Sequence, residues 1–188
     1  SRVTVNGKEQ TSGVSALDFT KKITYTVTSE SGDSTRYEIS LVHFTGLPIL
    51  YINTATGNPV ASKNNWEAAT LYLEGGHNFD GYPLGDIYIK GRGNSSWGTF
   101  TKKQSYNVKL PERSKMCGMP KHKRWSLIGN YRDKTLLRNQ VSMELGNKTD
   151  LAWVPRGEQV ELVLNGTHRG TYLLNEQIRI DKNRVAIN

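Results

Sequence analysis

The strongest constraint in this 188-residue chain is an alternation of apolar and polar residues that recurs in short blocks. Ile23–Thr28, Glu67–Glu74 and Ser105–Leu110 each send every second side chain to one face, the two-residue period of a half-buried strand. Tyr37–Val42 alternates in the same way. Ile49–Ile52, Asp86–Lys90 and Arg124–Ile128 are shorter apolar runs that predict further strands. Gln159–Leu164 and Thr171–Leu174 flank Asn165-Gly166, the dipeptide of a tight hairpin. One stretch breaks the pattern: Leu137, Val141 and Leu145 fall four residues apart. That spacing predicts a helix over 133–146, with Asp133 as its N-cap and Gly146 as its stop. Strands, one helix and more strands predict an α+β fold, a mostly antiparallel sheet with one main helix packed against it. Thr45-Gly46-Leu47-Pro48 marks a seam, so the expected domains are a short all-β segment over 1–45 and a larger unit over 46–188.

Composition excludes several classes. The longest apolar run, Leu47–Ile52, is far short of the roughly 20 residues of a membrane helix, so no membrane span is expected. Ser1-Arg2-Val3-Thr4 lacks a basic start followed by an apolar stretch, so no signal peptide is expected within these residues. Cys117 is the sole cysteine, which rules out an internal disulfide. His43, His77, His122 and His168 lack metal-ligand spacing, so no zinc site is expected. Trp97, Trp125 and Trp153 are expected as core or loop anchors. The net charge of +8 is unevenly placed: residues 90–138 hold thirteen basic and two acidic groups, Glu112 and Asp133. Such a localised field attracts phosphates or acidic surfaces.

Lys90-Gly91-Arg92-Gly93-Asn94-Ser95-Ser96-Trp97-Gly98 lies inside that stretch and joins two predicted strands. Glycines let a backbone approach a ligand, and free amides and hydroxyls donate to phosphate oxygens. Arg92 can clamp two such oxygens and Lys90 adds charge. No Gly-Lys-Ser/Thr follows, so this is not a P-loop. The next strand carries Lys109 on its polar face, and Glu144 is the acidic residue inside the predicted helix.

Glycine loop, lysine-bearing strand, helix and strand pair together resemble the N-lobe of a protein kinase, where a strand lysine holds nucleotide phosphates and a helix carboxylate positions it. The first segment resembles the closing strands of an Ig-like module. Five blocks carry a more specific resemblance: Lys90–Trp97 with Lys103 and Tyr106–Leu110; Gly118–Trp125; Asn130–Asn139; Val160–Gly166 with Gly170–Leu174; and Asp181–Val185. They resemble, in order, the CotH (spore coat protein H) kinase family over about residues 46–188. The resemblance implies an atypical secreted or cell-surface bacterial kinase that uses ATP and a divalent metal, Mg or Mn, to phosphorylate serines of a protein substrate. It places Arg92, Gly93, Asn94, Ser95 and Ser96 in the phosphate loop beside Lys90. Lys109 becomes the nucleotide lysine, paired with Glu144, and Glu176 lies near the adenine. Gln177 departs from the basic residue usual at its place. The catalytic and metal-binding aspartates are expected beyond Asn188, which predicts an inactive fragment with no catalytic residue of its own.

Two other readings stay open. A kinase-like scaffold can serve as a non-catalytic surface binding or adhesion module. A nucleic-acid-binding domain is the weakest reading, because no nucleic-acid motif accompanies the charge.

Overall fold

The alternating blocks form strands. The structure, a computed structural model, describes residues 1–17, 22–40, 45–98 and 101–186. The chain divides into two compact units, Ser1–Thr45 and Gly46–Asn188.

The first unit is an antiparallel sheet of β1 (Arg2–Val5), β2 (Lys8–Glu9), β3 (Ile23–Thr28) and β4 (Ser34–Ile39), in the order β2–β1–β3–β4. β3 has the bounds its alternation predicts. The predicted strand Tyr37–Val42 is represented by β4, which ends at Ile39. Leu41, Val42 and His43 lie outside the described residues.

The second unit contains β5 (Ile49–Thr54), β6 (Glu67–Glu74), β7 (Tyr82–Arg92), β8 (Ser105–Met116), β9 (Met119–Ile128), α1 (Arg138–Gly146), β10 (Gly157–Leu164) and β11 (Thr167–Glu176). Its seven strands close into a barrel in the order β10–β11–β9–β8–β7–β6–β5. Six of the seven pairings are antiparallel. Closure comes from a parallel pairing of β5 with β10, which sets Ile49 against Glu161 and Ile52 against Leu164. Inward residues of all seven strands fill the interior, among them Leu50, Leu71, Ile89, Val108, Trp125, Leu162 and Tyr172, each at most 2% exposed. Each such side chain contributes about 1.5–3 kcal/mol on burial.

This architecture corrects the α+β expectation. The protein is nearly all β, a closed barrel with one short helix among the described residues, and not a kinase-like N-lobe with a helix packed on a sheet. The physical reason is closure. A barrel buries its apolar face against itself and needs no helix to cover it. Accordingly α1 has no buried residue, and the stripe Leu137, Val141 and Leu145 is 47%, 52% and 61% exposed. The helix also starts five residues later than expected. Leu136 sits at φ 62°, a left-handed conformation that cannot continue a right-handed helix. Asp133 divides its carboxylate between the preceding turn and the first residue of the helix. Its Oδ1 accepts from Thr135 N and Oγ1 at 3.0 and 2.8 Å, and its Oδ2 accepts from Arg138 N at 2.9 Å.

Candidate functional site

The glycine loop leaves the end of β7 and is shaped by close packing. Trp97 folds back over Gly91, where a Cβ would meet its ring at 2.5 Å. Gly93 has φ 101°, and a Cβ there would lie 1.9 Å from Ser96 Oγ. Both positions therefore require glycine. Lys63 tethers the loop from the side, donating to Gly93 O at 3.4 Å and Asn94 Oδ1 at 2.9 Å. Thr101 Oγ1 donates to Ser95 O at 2.8 Å.

Below the loop lies a cleft of about 340 Å³. Arg92, Ser95 and Ser96 line it from the loop. Thr101, Lys103 and Ser105 lead into β8, Asn130 to Asp133 come from the β9–α1 connection, and Arg138 and Asn139 come from α1. Asn130 fastens this connection to the helix, accepting from Asn139 Nδ2 at 2.7 Å and donating to Leu136 O at 2.9 Å. The lining thus has four cations, Arg92, Lys103, Arg132 and Arg138, against one carboxylate. That carboxylate, Asp133, is already occupied: hydrogen bonds from the Arg138 amide and from Thr135 hold it below the usual carboxylate range. Burial lowers the pKa values of Arg92 and Lys103. Lys103 donates to Thr171 O and lies 4.9 Å from the Tyr172 ring, which fixes its position.

A second hollow of about 520 Å³ adjoins the first and shares Arg92, Ile128 and Asn139 with it. It runs over Asn107 and Ser126 to Asn175, Gln177 and Arg179. Gln177 is positioned by hydrogen bonds to Asn107 Oδ1 at 2.9 Å and Trp125 O at 2.7 Å.

The structure brings together some of the expected site residues and separates others. Arg92, Ser95 and Ser96 converge on the first cleft, and Gly93 and Asn94 shape its loop. Lys90 and Lys109 line neither hollow. Both lie on the outer barrel face against Trp66, at 5.0 and 5.5 Å from its ring. Glu144 is exposed on α1 and faces Glu158, whose carboxyl is raised by burial and by this like charge. Glu176 borders the second hollow, but its carboxylate turns inward. It takes Arg156 N and Nε at 3.0 Å and Nη2 at 3.1 Å, with Arg184 Nε at 3.3 Å. Arg132 and Asn139 are cleft residues beyond those the sequence chemistry marks, and Arg138, on the predicted helix with Glu144, joins them. Their signal was the basic surplus around the predicted helix start. Trp66 had no signal, since it lies in an irregular segment far from the loop it adjoins.

Among the described residues, no three carboxylate, imidazole or thiol groups converge in a way that could hold a metal ion. Cys117 is buried at φ 45° in the β8–β9 turn, and burial pushes its thiol up to about 12. A thiol of that kind is not a nucleophile at neutral pH. No described helix is long and apolar enough to cross a membrane.

None of the curated proteins compared with this chain matches it. A family model for the CotH kinase protein matches residues 89–188, more than half of the sequence. The matched region holds the glycine loop and every residue lining the two hollows, whereas β5, β6 and Trp66 precede it. On that match, the chain belongs to the CotH kinase protein family.

Proposed function

We propose that the Gly46–Asn188 unit binds the phosphates of ATP as part of a protein serine kinase acting at the bacterial cell surface or outside the cell. The observation that carries this reading is the first cleft: four cations and two loop hydroxyls, Ser95 and Ser96, surround one carboxylate that is already hydrogen-bonded. A triphosphate satisfies that imbalance better than a neutral ligand does. Phosphoryl transfer depends chiefly on positioning and on offsetting phosphate charge. Arg92 from the loop and Arg138 from α1 would clamp phosphate oxygens, and Lys103, whose ammonium is held at Thr171 O, would add positive charge from the side of β11. The tethered loop with Ser95 and Ser96 would close over the chain of phosphates and exclude water from it. The nucleoside end would extend into the second hollow, over Asn107 and Ser126 towards Gln177. The described residues offer no carboxylate set for a divalent ion. Mg or Mn would arrive bound to the nucleotide's own oxygens, where it supplies further charge neutralisation.

Calorimetric titration with ATP, with and without magnesium or manganese, tests this. Wild-type protein should bind, and Arg92→Ala should weaken binding by about tenfold or more, as expected for loss of a charge-assisted bond. Absence of binding by the wild type, or equal affinity in the variant, would overturn the assignment. Transfer of labelled phosphate from ATP to serine in a protein acceptor, assayed in the parent protein, tests the kinase activity itself.

A further inference from the structure

The cleft uses only part of the charge surplus of residues 90–138. On the outer face of the barrel, Tyr88, Lys109 and Arg124 form one cross-strand row over β7, β8 and β9, and Lys90 stands beside Asn107 in the next row. Trp66 lies across them. Its ring is 5.0 Å from Lys90 Nζ, 5.5 Å from Lys109 Nζ and 4.9 Å from Arg124 Cζ. A turn built on Ser62 holds the indole in place. Ser62 Oγ accepts from Asn64 N and Asn65 N at 3.1 and 3.0 Å, and Ser62 O accepts from Gly91 N at 2.8 Å. The three cations are half-buried, so neighbours fix them while solvent still reaches them.

Other cations of this stretch hold carboxylates of their own, Lys123 with Glu112, Arg138 with Asp133 and Arg113 with Asp181, at 3.8, 3.6 and 2.7 Å. Asp86, two residues before Tyr88 on the same face of β7, is exposed, and among the described residues it forms no ion pair with Lys90, Lys109 or Arg124. An indole attracts cations through its quadrupole but has no net charge, so repulsion among the three persists. Arg179 adds to it, since burial first and then Arg179 depress the Arg124 pKa.

We infer that this Trp66-centred patch is a second anion site, distinct from the cleft, that takes a phosphomonoester carried on a peptide serine. The inference rests on the reading of this chain as part of a protein serine kinase. Three cations gathered around one ring match a compact dianion. A phosphoserine carries about −1.5 to −2 charge on three acceptor oxygens, whereas a carboxylate carries a single charge. Guanidinium and ammonium groups are the usual donors to such oxygens. A nucleic acid would need an open aromatic face for its bases, and here the cations already crowd the indole. The patch would therefore retain a peptide that has been phosphorylated once, one cross-strand row from Asn107 and Ser126 of the second hollow.

Fluorescence anisotropy with a labelled serine peptide, in phosphorylated and unphosphorylated forms, tests the site on the wild-type chain. The phosphorylated form should bind at least about tenfold more tightly. Lys109→Gln and Arg124→Gln should each remove most of that preference, and Lys109→Arg should keep it. ATP affinity should remain the same in all three variants, which also reports that they are folded. The proposal is overturned by equal binding of the two peptides, or by a preference unchanged in both Gln variants. It is equally overturned if inorganic phosphate or an oligonucleotide binds as tightly as the phosphopeptide, or if the Gln variants lose ATP instead. Phosphopeptide preference in a wild-type chain that binds no ATP would support the site and remove only the kinase reading.

Discussion

Two charged regions that border the same hollow of the second unit behave in opposite ways. At the end of β11, Glu176 is fully buried between Arg156 and Arg184, and Arg184 stacks on Trp125 at 4.9 Å. Every charge there has a partner. At the glycine loop, Arg92, Lys103, Arg132 and Arg138 share one carboxylate that is already occupied. The difference teaches which charges serve the fold and which are available to a ligand. Paired, buried charge locks a segment in place, and unpaired, accessible charge of one sign waits for an anion.

Glu176→Gln should give the largest effect. It leaves two guanidiniums facing a neutral amide, and loss of one partner from a buried ion cluster costs about 3–5 kcal/mol. Urea denaturation should show that loss; a change below about 1 kcal/mol would make the cluster no more structural than a surface pair. Arg92→Ala should do the reverse, lowering ATP affinity by about ten- to a hundredfold while stability shifts little. If it unfolds the chain instead, the two regions are not different in kind.

A smaller effect concerns Asp181. Arg113 grips this carboxylate through Nη1 and Nη2 at 2.7 and 2.8 Å, and together with the Asn183 amide it holds the carboxyl well below its ordinary range. A depressed folded pKa means that the ionised form stabilises the native state. That contribution is complete above about pH 4, the unfolded value, and is lost as pH falls towards the folded one. Asp181→Asn should therefore cost about 1 kcal/mol at neutral pH and flatten the loss of stability in acid. A parallel acid profile for both proteins would remove Asp181 from the paired class. Smallest of all, Val141→Ala on the exposed α1 face should change stability by no more than about 0.5 kcal/mol. A larger loss would show that the helix stripe is covered after all.

These contrasts also show how far the sequence can be followed. The alternation of Glu67–Glu74 and the Asn165-Gly166 turn give β6 and the β10–β11 hairpin directly, because strand period and turn chemistry are local. The glycine loop was legible for the same reason, since Gly91 and Gly93 sit between strands in a basic stretch. The surroundings of Lys109 and Glu144 were not. A polar strand position faces outward, but only the barrel decides what lies outside, and here it is Trp66 and Tyr88. Glu144 was expected opposite a lysine and instead faces Glu158 across the helix and β10. Asp133 does reach the helix start through Arg138 N, but the left-handed Leu136 delays that start to Arg138 and leaves the other carboxylate oxygen to a turn.

What this sequence determined by itself is its strands, its tight turns, the glycine loop and the concentration of positive charge in residues 90–138. Each of these depends on neighbours within a few positions along the chain. Only the tertiary structure decided that the sheet closes, that Glu176 is a buried structural partner, and which cations meet at the cleft. Those outcomes depend on pairings such as Ile49 with Glu161, which join residues far apart in sequence. No local period encodes them, because the free energy that selects them comes from filling one shared interior.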